Sequence, residues 1–299
     1  MLLRIRHETR FAYEQPATDS HNELRLQPLD LEGQRCVAFE LEIDQPSAVL
    51  SYHDFFGNNA HSVSVSAPHR ELRIVAQSLI ERNETVPDIY PEVSFRSFLA
   101  DDAAHMRDFC EFLSQSHYIP FSERLQKLFW MARPDDSEDV SGYVTRIVEW
   151  VRDQFDYEKA KTNVHSNLDD ILKTGSGVCQ DFAHLTIGIL RLAGVPARYV
   201  SGYLAPNRSG AQVGEQASHA WLEAWLPHSG WTGFDPTMRY RSDERHIKIA
   251  IGRDYADVPP LRGIYRSNGS RQMMTVDVSV EHTSSGVLTS GVHPGGGQQ

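Results

Sequence analysis

Gly175-Ser176-Gly177-Val178-Cys179-Gln180-Asp181-Phe182-Ala183 joins a flexible turn to the start of a helix. From Cys179 to Ala193 the chain is amphipathic, with Phe182, Leu185, Ile189 and Leu192 on one face. Gly194-Val195-Pro196 then supplies the stop and the breaker. Cys179 therefore opens a helix, where unpaired N–H groups and the helix dipole favour an anion. Such an environment lowers a thiol's pKa and raises its thiolate fraction. A nucleophilic cysteine also needs a base or counter-cation, and a group that orients that base. Downstream lie His219 and Asp235.

Strand-like segments carry both. Ala197–Leu204 comes first, then Ser218–Leu226, whose even positions Ala220, Leu222, Ala224 and Leu226 form an apolar face. The odd positions, His219, Trp221, Glu223 and Trp225, are expected to point away from that core. Asp235 ends the next short strand, Trp231–Phe234, just before Pro236, which halts pairing. The turn Pro227-His228-Ser229-Gly230 makes these strands antiparallel neighbours and sets His219 and Asp235 side by side, in a roughly matched register.

Working outward, the amino-terminal stretch alternates with period two. Leu3, Ile5, His7, Thr9, Phe11 and Tyr13 share one side, and Val37, Phe39, Leu41 and Ile43 repeat the pattern. Turn chemistry at Phe56-Gly57-Asn58-Asn59 precedes Ser62–Ser66, and Leu72, Ile74, Ala76 and Ser78 alternate again. These short strands predict an antiparallel, β-sandwich-like domain over residues 1–82. Residues 83–100, with Pro87 and Pro91 and no clear period, read as a linker. Helical spacing follows at Met106, Phe109, Cys110 and Leu113, at Leu125, Leu128 and Phe129, and at Val144, Ile147, Val148, Val151 and Phe155. The last stripe starts after acidic residues 135–139, which suit a helix N-terminus. The fold class is α+β, with a catalytic core and helical lead-in over 101–250. A carboxy-terminal extension over 251–282 ends in an alternating strand, and a Gly/Ser/Gln-rich tail over 283–299 is expected to be disordered.

Composition narrows the function. The 299 residues carry 29 basic and 40 acidic side chains, a net charge of −11, which disfavours nucleic acid and anionic membranes as partners. No run approaches the roughly 18 apolar residues of a membrane span, and Met1–His7 is charged too early for a signal peptide. Cytoplasmic localisation is the expectation. Three cysteines, Cys36, Cys110 and Cys179, form no Cys-x-x-Cys pair and read as free thiols. Cys110, in an apolar stripe, and Cys36, beside a strand, are expected to be small buried hydrophobes. The histidines show no His-Glu-x-x-His and no paired Cys/His spacing, so neither a metal nor another cofactor is expected. His184 lies too far round the helix to share the face of Cys179, which leaves surface or packing. His165 is expected only to line the cleft, and Asp181 compensates the helix dipole close to the thiol.

Four blocks together resemble the core of the transglutaminase-like superfamily. They are Gly175–Ala183, Leu192–Tyr203, His219-Ala220-Trp221-Leu222-Glu223, and Gly230-Trp231 with Phe234-Asp235-Pro236-Thr237. The β module, with Tyr13 and the Asp54-Phe55-Phe56-Gly57-Asn58 turn, resembles the amino-terminal domain of bacterial transglutaminase-like proteins, and residues 251–263 match the same subgroup. The resemblance implies a papain-like fold and a Cys-His-Asp triad carried onto Cys179, His219 and Asp235. The thiolate would attack an amide carbonyl, His219 would protonate the leaving amine, and Asp235 would orient the imidazole. The backbone N–H of Cys179 is one oxyanion donor; Tyr157 or Gln154 is a candidate for the second, and Trp221 is a candidate cleft wall. The substrate is then a peptide or protein, as for a cysteine peptidase or amidase. An amine acceptor in place of water would make it a protein-glutamine gamma-glutamyltransferase. Arylamine N-acetyltransferases share the residue order, but their Arg-Gly-Gly motif before the cysteine is absent here. Animal transglutaminases use calcium, yet no loop of the EF-hand type is present. A silent binding module is the third reading.

Overall fold

The computed structural model describes residues 1–83, 90–100, 107–158, 168–207, 218–238, 240–267 and 271–288. The chain mixes helices with curled antiparallel sheet. Strand β1 (Leu2–Leu24) is the spine of the amino-terminal half, and its alternation is real: Leu3, Ile5, His7, Thr9, Phe11 and Tyr13 are all buried. At 23 residues, β1 serves two sets of partners. Its first half lies between β5 (His69–Arg82) and β14 (Gln272–His282), with Ile5 opposite both Ser78 and Val280. The second half lies between β4 (Asn59–Val65) and β13 (Leu261–Arg266), with Asn22 opposite both Val63 and Gly263. Strands β2 (Gln34–Ile43) and β3 (Ala48–His53) flank β5 and β4.

The sequence reading confined this module to residues 1–82; the sheet also takes in β13 and β14, from the far end of the chain. The alternating strand expected at the end of 251–282 is β14; β13 carries no such expectation, and both are largely exposed. Val37 departs from its expected inward place: the register shifts between Cys36 and Ala38, and Val37 is left 41% exposed in the bulge. The head of the expected tail is attached, since Thr283 N–H donates to Leu2 O, Arg4 donates to Val287 O, and Leu288 is buried. Residues 289–299 lie outside the described residues, as does His165.

The second half packs helices on a five-stranded sheet. Helices α1 (Phe95–Ala100), α2 (Cys110–Leu113), α3 (Glu123–Ala132), α4 (Val140–Gln154), α5 (Leu168–Thr174) and α6 (Cys179–Leu192) precede or enter it. The sheet order is β11 (Tyr240–Arg241), β10 (Gly230–Asp235), β9 (Ser218–Leu226), β8 (Ala197–Leu204), β12 (His246–Gly252), all antiparallel. Asp139 caps α4 by accepting from Gly142 N–H at 2.8 Å, as the acidic run suggested. Val144, Ile147, Val148 and Val151 of α4 join Phe182, Leu185 and Ile189 of α6 and the even positions of β9 in one core.

Two expectations fail here. The linker contains α1, whose Phe95 and Phe98 are buried in that core. Cys110 is exposed rather than buried, because its apolar stripe is a four-residue helix, and its thiol donates to Glu111 Oε2 at 3.1 Å. Cys36 is half-buried in β2.

The two halves meet along the free edge of β12. Gln34 donates to Lys248 O at 2.8 Å and accepts from Lys248 N–H at 2.9 Å. Asn58 does the same at Ile251, with both bonds 2.8 Å. Side-chain amides thus replace the strand that an exposed edge would otherwise recruit. Among the described residues no helix is long and apolar enough to cross a membrane.

Candidate active site

A two-residue parallel ladder sets the entrance to α6. Strand β6 (Asp156–Tyr157) pairs with β7 (Ser176–Gly177), Tyr157 opposite Gly177. A Cβ at Gly177 would sit 2.8 Å from Asp181 Oδ2, so only glycine lets the turn lie this close to the helix. Asp181, the third helical residue, is buried and accepts from Val178 N–H at 2.9 Å. Its carboxylate therefore fixes the turn that delivers Cys179, beyond compensating the dipole. Cys179 is partly buried in the first turn of α6, where backbone N–H groups lack intrahelical partners.

His219 enters from the start of β9. Its Nε2 lies 2.6 Å from Oδ2 of Asp235, the last residue of β10, and the Cys179 thiol lies near enough to the imidazole to act on its charge. Because Nε2 faces a carboxylate it carries a proton, which leaves Nδ1 for the sulfur. Burial alone would push the imidazole down. The bond to Asp235 and then the nearby Cys179, with both charges, outweigh burial and raise it well above its usual range. Asp235 is wholly buried, which opposes its charge, yet bonds from His219 and His246 hold it well below the usual carboxylate range. Its Oδ1 accepts Thr237 N–H at 2.9 Å and Thr237 Oγ1–H at 2.7 Å, which accounts for the threonine after Asp235-Pro236.

Cys179, His219 and Asp235 are thus brought together. The other candidates divide. Tyr157 packs edge-on against Phe182 at 5.9 Å. Burial, then the neighbouring Cys179 and Asp235 charges, push its phenol up to about 12, so it stays protonated as a donor. Gln154 ends α4 and is exposed, which removes it from the buried surroundings of the thiol. Trp221 is buried behind His219, with ring centroids 6.1 Å apart, and backs the imidazole.

The odd face of β9 points away from the core of the even positions, as expected, yet it is not open to solvent. Trp221 and Glu223 are buried, and Glu223 pairs with Arg198 at 2.7 Å and with Lys248. Side chains of β8 and β12 thus cover the Glu223 carboxylate. Of the two readings of His184, surface or packing, the structure shows packing: it is buried between Tyr118 and Tyr199. Burial pushes its imidazole well down despite Asp254 nearby, and its Nε2 accepts from Tyr255 N–H.

His246 escaped the sequence reading. It opens β12, is buried, and places Nε2 3.1 Å from Oδ2 of Asp235. The alternation His246-Ile247-Lys248-Ile249 signals a strand there, but no spacing links a lone histidine to Asp235. Among the described residues, His219, Asp235 and His246 are the group whose ligand atoms, within 4.8 Å of one another, are spaced for a cation. Here the carboxylate already accepts N–H and O–H donors on both oxygens, which satisfies its charge without a metal ion.

Comparison with known proteins follows the same division of the chain. Residues 3–81 match the bacterial transglutaminase-like N-terminal region, and residues 132–236 match the transglutaminase-like superfamily. An uncharacterized protein of Mycobacterium leprae is 36% identical over 284 residues, covering 94% of this chain and 98% of the relative. The chain belongs to the transglutaminase-like superfamily. Within it, a protein-glutamine gamma-glutamyltransferase of Pseudomonas aeruginosa is 38% identical over 107 residues, which is 32% of this chain and 16% of that one. The crystal structure of a candidate cysteine protease from Cytophaga hutchinsonii shares the transglutaminase-like fold, with a TM-score of 0.75 and 23% identity. That likeness covers 95% of this chain and 92% of the other.

Proposed function

We propose that this superfamily member cleaves an amide bond of a peptide or protein through a thioester on Cys179, with water as the acceptor. The observation that carries the reading is the imidazole of His219 bonded to the buried Asp235 carboxylate and near the Cys179 thiol. Such a papain-like pairing of a helix-borne sulfur with a sheet-borne base suits nucleophilic catalysis. Nδ1 of His219 takes the thiol proton as the Cys179 sulfur attacks the carbonyl carbon, and the oxyanion receives the Cys179 N–H and the Tyr157 hydroxyl. The C–N bond breaks as the His219 imidazolium gives its Nδ1 proton to the leaving amine. Neutral His219 then takes a proton from water, the hydroxide oxygen attacks the thioester, and the acid leaves as the thiol is restored. Asp235 keeps the imidazole in the tautomer this cycle needs.

An amine in place of water gives a transglutaminase, a reading favoured by the local likeness to the Pseudomonas enzyme. Which acceptor wins depends on how far the closed cleft excludes water. Mass spectrometry of peptide libraries incubated with the wild-type chain, with and without a primary amine, separates the readings, with Cys179→Ala as the blank. Cleaved peptides or amides converted to acids are expected. Amine incorporation without hydrolysis would replace the hydrolase by the transferase. No wild-type product in either arm would leave a binding module.

A further inference from the structure

We infer that His246 is a positioning residue that locks the Asp235 carboxylate behind His219, making the working set Cys179, His219, Asp235 and His246. The inference rests on the reading of Cys179 as the nucleophile. Both imidazoles point Nε2 at one oxygen, Asp235 Oδ2, at 2.6 Å from His219 and 3.1 Å from His246. The carboxylate is ionised, so each of these nitrogens must present a proton to it; a lone pair aimed at the oxygen would be repelled. The far side of His246 is tied to Asp243, whose N–H and Oδ1 lie 3.1 and 3.0 Å from Nδ1. Trp221 packs edge-on against the same ring at 5.1 Å.

This arrangement clamps the carboxylate. Thr237 holds Oδ1 twice, and without His246 the oxygen that orients His219 would have one donor fewer in a buried site. Asp235 would be freer to turn, and the Nε2–H of His219 would lose its fixed acceptor. The strand order sharpens the point, because β9 and β8 lie between β10, which carries Asp235, and β12, which carries His246. In the intervening β8, Trp221 occupies the space that a side chain at Gly202 would take. Lys248, two residues beyond His246, is the point where Gln34 of the amino-terminal module grips β12. The module thus braces the strand that supplies the clamp.

The test needs no known substrate. Iodoacetamide alkylation of Cys179 is followed by peptide mass mapping from about pH 5 to about pH 9, because only the thiolate reacts. The proteins compared are wild type, His219→Ala, His246→Gln and His246→Leu. Groups that bear on the profile are Cys179, Asp235, His219, Asp243, Tyr157 and His246 itself. Glutamine can present an N–H where Nε2 stood; leucine cannot. His246→Leu is expected to slow alkylation about tenfold near pH 6 and to move the acid limb upward, while His246→Gln stays within about threefold of wild type. Equal loss in both variants would reduce His246 to a packing residue, and a wild-type profile in His246→Leu would remove any role; either result overturns the inference. Should the leucine variant fail to fold, Asp243→Ala loosens the clamp from its partly exposed side. It is expected to slow the reaction about threefold, and no change there also overturns the inference. Failure of the underlying reading looks different. Wild-type Cys179 would then react no faster than Cys110 and would be indifferent to His219→Ala, and both proposals would fall.

Discussion

Cys179→Ala is expected to retain less than about one part in 10⁴ of the turnover, because the bond-forming atom is gone and the remaining groups supply only binding and polarisation. The fold should survive. Only a sulfur is deleted, from a side chain that is partly exposed at the start of α6, so the loss in stability is expected to stay under about 1 kcal/mol. Asp235, the larger source of the raised His219, remains in place. The check is turnover of any peptide that the wild type converts, measured beside thermal unfolding of both proteins. Residual turnover above about one percent would move the nucleophile elsewhere, and a cooperative transition lost altogether would make Cys179 a structural residue.

Gly202→Ala carries the largest expected effect on stability. Gly202 stands in β8 opposite His219 on one side and Lys248 on the other. A Cβ there would lie 2.2 Å from the Ile247 carbonyl oxygen and 2.5 Å from the Trp221 ring. Neither neighbour can yield cheaply. Ile247 lies in the strand that Gln34 and Asn58 hold, and Trp221 is buried against His219 and His246. Overpacking of this kind is expected to cost about 3 kcal/mol. At this chain length that is a fall of roughly 5 °C in the melting temperature. Alkylation of Cys179 should slow in the folded variant as well, since the wall behind His219 must shift. A cost below about 1 kcal/mol would show that β8 and β12 part easily, and would weaken the clamp that ties His246 to Asp235.

How far the chain could be read depended on the range of the forces involved. Helix α6 and strands β8 and β9 follow from local periods, since a 3.6-residue or two-residue rhythm is set by neighbours in sequence. Cys179 at a helix start is likewise a local feature, and the pairing of His219 with Asp235 needed only one short turn between two strands. What escaped is set by closure over long distances. Strand β3 is exposed along its whole length, so it has no alternation to read. Strands β13 and β14 find β1 from the other end of the chain, and Glu223 of β9 is buried with Arg198 of β8 and Lys248 of β12. Cys110 looked buried because an apolar stripe was read through residues that form only a four-residue helix. His246 has no motif at all; its place becomes visible only when two strands that are not neighbours are seen to share one carboxylate oxygen.

The most direct measurement sets the three thiols of the wild-type chain in competition. Limiting iodoacetamide near pH 6.5 is expected to modify Cys179 first, as the sulfur paired with an imidazolium. Cys36 should lag because burial, helped by Asp30, pushes its thiol up to about 11, and Cys110 because its bond to Glu111 raises it too. Modification of the exposed Cys110 ahead of Cys179, or equal modification of all three, would contradict a reactive sulfur held by His219.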